Sequence, residues 1–174
     1  MDVIRVFREA PLVQSPPGPS LGVPTELGFV ELYRDRYDPM VRLAYLLVGH
    51  QAIAEELVQD AFVKVHRQWS TVEHPPAYLR TAVVNQCRSW GRRRAREQDH
   101  QERRLDLPTE SEQAPDELWD VLLALPLRQR TAIVLRFYED LPEQEIAAVL
   151  GSRPTTVRTL IHRGLEALRK EIER

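Results

Sequence analysis

Apolar residues recur at the three- to four-residue spacing of amphipathic helices from Glu26 onward. Over the first half of the chain, this spacing predicts three helices. The first runs from Glu26 to Gly49 and kinks or restarts at Asp38-Pro39, where an N-cap residue precedes a proline. The second runs from Gln51 to Trp69 and the third from Ala77 to Arg96, and the short turns between them indicate a small bundle.

The last third of the chain shows the same period in shorter pieces, each bounded by proline or glycine. Four helices are predicted there: Asp116–Leu125, Leu127–Tyr138, Pro142–Leu150 and Pro154–Glu171. Residues 97–115, which precede them, are acidic and lack an apolar period, as is typical of a flexible linker. Residues 1–25 are proline-rich and are predicted to form a flexible tail.

The pattern therefore predicts an all-α fold with two small helical domains. The first, residues 26–96, is a three-helix-type bundle, and the second, residues 116–174, is a four-helix domain. The length of 174 residues suffices for two such domains, and the apolar share of 43% with a charged share of 29% is that of a soluble globular protein.

The charges of the chain are segregated along the sequence. The formal net charge of −2 argues against a protein that coats nucleic acid by bulk charge. Residues 88–96, "RSWGRRRAR", nevertheless carry several arginines and no acid, and the acidic linker follows at once. Arginines at the end of a helix also suit its negative pole, but this cluster exceeds that need and indicates phosphate neutralisation.

Several classes of protein are not expected from this sequence. No segment has the apolar length of a membrane span, and the N-terminus lacks the apolar run of a signal peptide, so we expect a cytoplasmic protein with no membrane partner. Cys87 is the single cysteine, and the five histidines show no metal-ligand spacing. Without a glycine-rich phosphate loop or an activated nucleophile, we expect no cofactor, no metal and no enzyme activity.

Residues 145–168, "EIAAVLGSRPTTVRTLIHRGLEAL", have the features of a helix-turn-helix. Ala147 allows two helices to cross closely, and Gly151 allows the sharp turn between them. Hydroxyls and cations are left facing outward on the second helix, and such side chains meet phosphates and base edges in a major groove. An ordinary helical hairpin with a solvated charged face is the alternative from these residues alone.

The surrounding residues 125–151, "LPLRQRTAIVLRFYEDLPEQEIAAVLG", resemble the fourth region of the extracytoplasmic-function (ECF) sigma factors of bacterial RNA polymerase. The recognition helix keeps the family's residues at several positions, whereas Ser152, Arg153 and Leu160 depart from its pattern. The resemblance implies contacts to the minus-thirty-five promoter element from the following residues: Thr155, Thr156, Arg158, Thr159, His162 and Arg163.

Residues 54–69, "AEELVQDAFVKVHRQW", look like the second region of the same family, where this helix docks on the clamp of the polymerase. The matching docking positions are Glu56, Gln59 and Asp60. Without the resemblance, this acidic face would be interpreted as plain solvated surface.

Residues 77–97, "AYLRTAVVNQCRSWGRRRARE", look like the family's helix that reads and melts the minus-ten element. The resemblance implies that the loop at residues 71–76 captures an extruded base. Candidate contacts on this helix are Tyr78, Asn85, Arg88, Ser89, Arg92, Arg93 and Arg94. Asn85 is equally suited to a local backbone contact.

The resemblance covers residues 26–172 and identifies the chain as a member of the ECF sigma factors. It implies a non-enzymatic protein, monomeric when free, whose partners are core RNA polymerase, promoter DNA in duplex and single-stranded form, and an anti-sigma factor. The alternative is a stand-alone helix-turn-helix regulator that binds duplex DNA without polymerase docking.

Overall fold

A computed structural model of the protein describes residues 26–100 and 117–172, so the predicted tail and residues 101–115 of the predicted linker lie outside the described residues. The described part consists of α-helices with one short 3₁₀ turn, Trp69–Thr71, and contains no strand. The helices are α1 Glu26–Val48, α2 Gln51–Arg67, α3 Pro75–His100, α4 Glu117–Ala124, α5 Leu127–Phe137, α6 Glu143–Leu150 and α7 Pro154–Ile172. The expected all-α class is confirmed.

Most helix ends lie within two residues of the predicted positions, and two differences from the sequence prediction are larger. Helix α1 is continuous through Pro39, so the predicted restart at Asp38-Pro39 is wrong. A proline removes one intrahelical hydrogen bond, but burial of Met40, Leu43 and Ala44 directly after it keeps this segment helical. Helix α3 continues to His100, four residues into the predicted linker, where Glu97 and Gln98 are good helix formers even without an apolar period.

The first three helices pack around a shared apolar core. Its fully buried side chains include Leu43 and Leu47 of α1, Val58 and Val65 of α2, and Leu79 of α3. An aromatic group closes one end of this bundle: the Phe29 ring contacts the rings of Phe62 and Trp69 edge to face, at centroid distances of 6.2 and 5.4 Å.

The last four helices pack directly on the first three. Tyr45 of α1 stacks on Trp119 of α4, with ring centroids 4.8 Å apart. The backbone of α3 approaches α5 so closely that a Cβ added at Gly91 would lie 2.6 Å from Leu127 Cδ2. A larger residue at Gly91 would require the Leu127 side chain to shift, and the two groups of helices share one continuous core within the described residues.

Charged side chains also connect the groups. Arg80 of α3 forms a salt bridge of 2.8 Å with Glu139, which follows α5, and both side chains are mostly shielded, with 16% and 11% of their surface exposed. Arg130 of α5 donates hydrogen bonds to three carbonyl oxygens, those of Leu47, Leu123 and Leu125. Because these carbonyls lie at the ends of α1 and α4, a single guanidinium caps two helices from different groups.

Replacing Arg130 by Met is expected to lower the free energy of unfolding by about 2–4 kcal/mol. The apolar stem is kept, but three carbonyls lose a charged donor, and bonds of that kind are worth roughly 1.5–3 kcal/mol each before water from the adjacent cavity compensates. Burial lowers the pKa of Arg130 to about 10, so the side chain remains charged at neutral pH.

Urea unfolding followed by circular dichroism measures the effect of Arg130→Met. Arg128→Met is the matched control, since Arg128 is an exposed arginine on the same helix and its loss should cost less than about 0.5 kcal/mol. Equal stability of the two variants would show that the carbonyl bonds of Arg130 do not hold the helices together.

Candidate nucleic-acid interface

The turn between α6 and α7 has the geometry of a helix-turn-helix. Gly151 adopts a left-handed conformation with φ 59°, and its N–H donates to Ala148 O at 3.3 Å. The N–H of Ser152 donates to Ala147 O at 2.9 Å, which completes a Schellman motif and ends α6 sharply. Ser152, one of the departures from the family pattern, has a buried hydroxyl without a hydrogen-bond partner among the described residues.

Helix α7 buries one side and exposes the other. Val157 and Leu168 are fully buried, which anchors the helix against its neighbours. The six predicted minus-thirty-five contacts are all exposed: Thr155, Thr156, Arg158, Thr159, His162 and Arg163. The structure therefore brings these residues together on one accessible helix, in the position of a recognition helix.

The polar side chains of this face have partners within the protein. The Thr159 hydroxyl donates to Thr155 O at 3.0 Å, and His162 Nδ1 lies 3.4 Å from a carboxylate oxygen of Glu166. Arg158 donates from Nε and Nη2 to the two carboxylate oxygens of Glu143, at 3.2 and 2.8 Å. This hydrogen-bonded pairing lowers the pKa of Glu143 and raises that of Arg158.

Sequence reasoning missed Glu143. It lies in the first turn of α6, fifteen positions before Arg158, and only the crossing of α6 and α7 brings the two side chains together. No periodicity within either helix signals this contact.

The predicted minus-ten residues on α3 do not share one open face. Asn85, Arg92 and Arg93 are exposed, and Arg92 donates to the Ser89 hydroxyl at 3.0 Å. Arg94 lies over the Trp90 ring, 5.4 Å from its centroid, so its guanidinium is partly occupied by a cation–π contact.

Arg88 is partly covered by the second group of helices. Its Nη1 donates to Leu150 O, the last carbonyl of α6, at 3.3 Å. Burial is the main cause that lowers the pKa of Arg88, followed by the charges of Arg128 and Arg92. The predicted minus-ten contact Arg88 thus lies on the side of α3 on which α6 packs, and it does not face open solvent with Asn85 and Arg92.

Tyr78 stands beside the predicted base-capturing loop. Its hydroxyl donates to the side-chain oxygen of Gln68, which holds the half-buried ring against the end of α2. In the loop itself, the Thr71 hydroxyl donates to Gln68 O at 3.0 Å, whereas Glu73 and His74 are exposed.

The predicted docking residues Glu56, Gln59 and Asp60 are all exposed on α2. Asp60 accepts one long hydrogen bond, 3.4 Å, from Gln86 of α3. Val63, one helical turn beyond Gln59, is 49% exposed and extends this face with an apolar side chain that sequence reasoning assigned no role. The surface is thus acidic with an apolar margin.

The part of the chain that the structure describes also bears on three other features: a metal site, a reactive thiol and a membrane-spanning helix. No group of three or more His, Cys, Asp or Glu residues is placed to hold a metal ion there. Burial raises the pKa of Cys87 to about 12, so its thiol is unreactive at neutral pH. None of the described helices is both long and apolar enough to cross a membrane.

Comparison with known proteins matches both groups of helices to the same family. The profile "Sigma-70 region 2" matches residues 32–97, and "Sigma-70, region 4" matches residues 116–168. The sigma factor RpoE of Bartonella quintana, solved with the anti-sigma factor NepR, has the same fold: the TM-score is 0.68 at 22% identity, with 83% of this chain and 96% of that chain covered.

Curated relatives extend the match over nearly the whole chain. The RNA polymerase sigma-E factor of Streptomyces coelicolor is 36% identical over 153 residues, which are 84% of this chain and 86% of that protein. The ECF RNA polymerase sigma factor SigE of Mycolicibacterium smegmatis is 35% identical over 159 residues, covering 80% of this chain and 59% of that protein. Nothing in these comparisons supports a stand-alone regulator, and the chain belongs to the ECF group of the sigma-70 RNA polymerase sigma factors.

Proposed function

We propose that this sigma factor divides promoter recognition between its two groups of helices. Residues 26–100 dock on core RNA polymerase and contact the minus-ten element, and residues 117–172 contact the minus-thirty-five element. The observation that carries the proposal is the exposed polar face of α7, held on a helix-turn-helix by the buried Val157 and Leu168. The sigma factor itself is not an enzyme, and the polymerase performs the chemistry.

The docking surface for polymerase is assigned to α2. Glu56, Gln59 and Asp60 are exposed there, and Val63 continues the face by one turn. An apolar residue beside charged ones is the combination found at specific protein interfaces, where the apolar part supplies binding energy and the charges supply orientation.

An inhibitory protein partner is proposed by analogy with solved relatives. RpoE of Bartonella quintana was solved with the anti-sigma factor NepR, and CnrH with the cytosolic domain of CnrY; the CnrH fold matches this chain with a TM-score of 0.63 at 21% identity. An anti-sigma factor of this chain would act where polymerase does, in the cytoplasm. Its binding would keep the sigma factor from polymerase.

The packing of the two groups bears on DNA binding by the unbound sigma factor. Arg88 is engaged by Leu150 O, and the Arg80–Glu139 salt bridge holds α3 against the segment after α5. The proposed contact of Arg88 with promoter DNA requires that the hydrogen bond to Leu150 O break and that α3 and α6 separate. The free protein is therefore a poor DNA binder, and docking on polymerase supplies the free energy that separates the two groups.

Replacing both Gln59 and Asp60 by Ala should weaken binding to core polymerase at least tenfold, because the docking face loses its amide and its carboxylate. Thermal stability should change by less than about 0.5 kcal/mol, since both side chains are exposed. Fluorescence anisotropy of labelled protein titrated with Streptomyces coelicolor core enzyme measures the affinity. The control is Gln144→Ala with Glu145→Ala, an exposed amide and carboxylate on α6; equal affinity of both double variants would remove the docking assignment.

Replacing Glu139 by Gln should raise the affinity of the free protein for duplex DNA by up to about tenfold at low salt. The change removes the carboxylate that pairs with the shielded Arg80, so the packing of the two groups of helices on each other weakens by about 1–2 kcal/mol. When the groups separate, Arg88 is released from Leu150 O. Asp140→Asn is the control, because it removes the same charge from an adjacent exposed residue. If both variants bind DNA with the same affinity, the loss of one negative charge alone explains the effect, and the proposal that packing of the two groups limits DNA binding is contradicted.

A further inference from the structure

We infer that Glu143 is a positioning residue for promoter recognition: it holds Arg158 so that the outer edge of the guanidinium meets a guanine in the upstream promoter element. The inference rests on the proposed role of α7 in reading that element. Glu143 lies outside the recognition helix, and Arg158 contacts a base in place of a phosphate.

The geometry of the pair defines which edge of Arg158 remains available. A guanidinium has five N–H donors, one on Nε and two on each Nη. Glu143 occupies the Nε edge, because Oε1 accepts from Nε at 3.2 Å and Oε2 accepts from Nη2 at 2.8 Å. The adjacent terminal edge, formed by Nη1 and the second hydrogen of Nη2, still offers two parallel donors. Two such donors match the O6 and N7 acceptors of guanine in the major groove.

The exposure of the two side chains shows which one is the support. The Glu143 side chain is 31% exposed and stands on the first turn of α6, whose next turn is anchored by the fully buried Ile146. The Arg158 side chain is 74% exposed. A long arginine in solvent ordinarily loses rotamer freedom when it binds DNA, and a carboxylate that holds it beforehand reduces that cost.

The charge of Glu143 also selects against a phosphate contact. A carboxylate beside Arg158 neutralises the guanidinium locally and repels a phosphate at the same place. The base edge of guanine carries no formal charge, so it suffers less repulsion and still gains two hydrogen bonds. The pair therefore favours sequence reading over general attraction to the backbone, in keeping with the chain's net charge of −2.

The test uses the full chain bound to Streptomyces coelicolor core polymerase and a pool of promoter duplexes with a randomised upstream element. The unchanged protein should select G·C at one base pair, and Arg158→Ala should lose that selection. Glu143→Gln should reduce the preference at the same base pair about five- to tenfold and should steepen the salt dependence of binding by about one unit, because the released arginine turns to phosphate. Glu145→Gln, which removes an exposed carboxylate two positions away, should behave as the unchanged protein.

If Glu143 only stabilised the fold, Glu143→Gln would not change the preference at this one base pair. In the Arg158→Ala background, Glu143→Gln should have no further effect on it. If Arg158→Ala loses selection while Glu143→Gln keeps it, the positioning role is overturned and base reading by Arg158 stands. If Arg158→Ala weakens binding to all sequences equally, Arg158 reads no base and the inference falls. Absence of any upstream selection by the unchanged protein with polymerase would instead reject the proposed function of α7.

Discussion

The guanidinium of Arg130 lies where the two groups of helices meet, and it donates to backbone carbonyls of both groups. Its hydrogen bonds to the carbonyl oxygens of Leu47, Leu123 and Leu125 link the end of α1 to the end of α4. A buried carbonyl without a donor costs about 1–3 kcal/mol. When the groups separate, Leu47 O loses the Arg130 donor, and only water can then replace it. The packing of the two groups on each other therefore depends on the polar contact of Arg130 as well as on the stacking of Tyr45 on Trp119.

Arginines at carbonyl-rich helix ends recur in this molecule. Arg88 donates to the last carbonyl of α6, as Arg130 donates to carbonyls at the ends of α1 and α4. A helix C-terminus carries partial negative charge, so it can occupy a cation that would otherwise bind phosphate. Under the proposed minus-ten role of Arg88, the packing of α6 on α3 and contact with promoter DNA compete for the same guanidinium.

Carboxylates also lie beside exposed cationic or titratable side chains on α7, the proposed recognition helix. Two of its exposed cationic or titratable side chains, Arg158 and His162, lie beside the carboxylates of Glu143 and Glu166. Under the proposed role of α7 in promoter recognition, such pairing limits general attraction to the DNA backbone and leaves directional hydrogen bonds as the larger part of recognition. A protein that reaches DNA together with polymerase has less need of strong electrostatic attraction of its own.

The sequence by itself determined the helices, their order and the family. Apolar spacing and the proline and glycine breaks place most helix ends within a few residues, and the exposed faces of α2 and α7 follow from the same spacing. The continuity of α1 through Pro39 and the length of α3 were decided by packing and by helix propensity, which the apolar pattern does not register. The covering of Arg88, the Arg80–Glu139 salt bridge and the Glu143–Arg158 pair were decided only by the tertiary structure. Each joins residues on different helices, and periodicity within one helix carries no information about which face of another helix it meets.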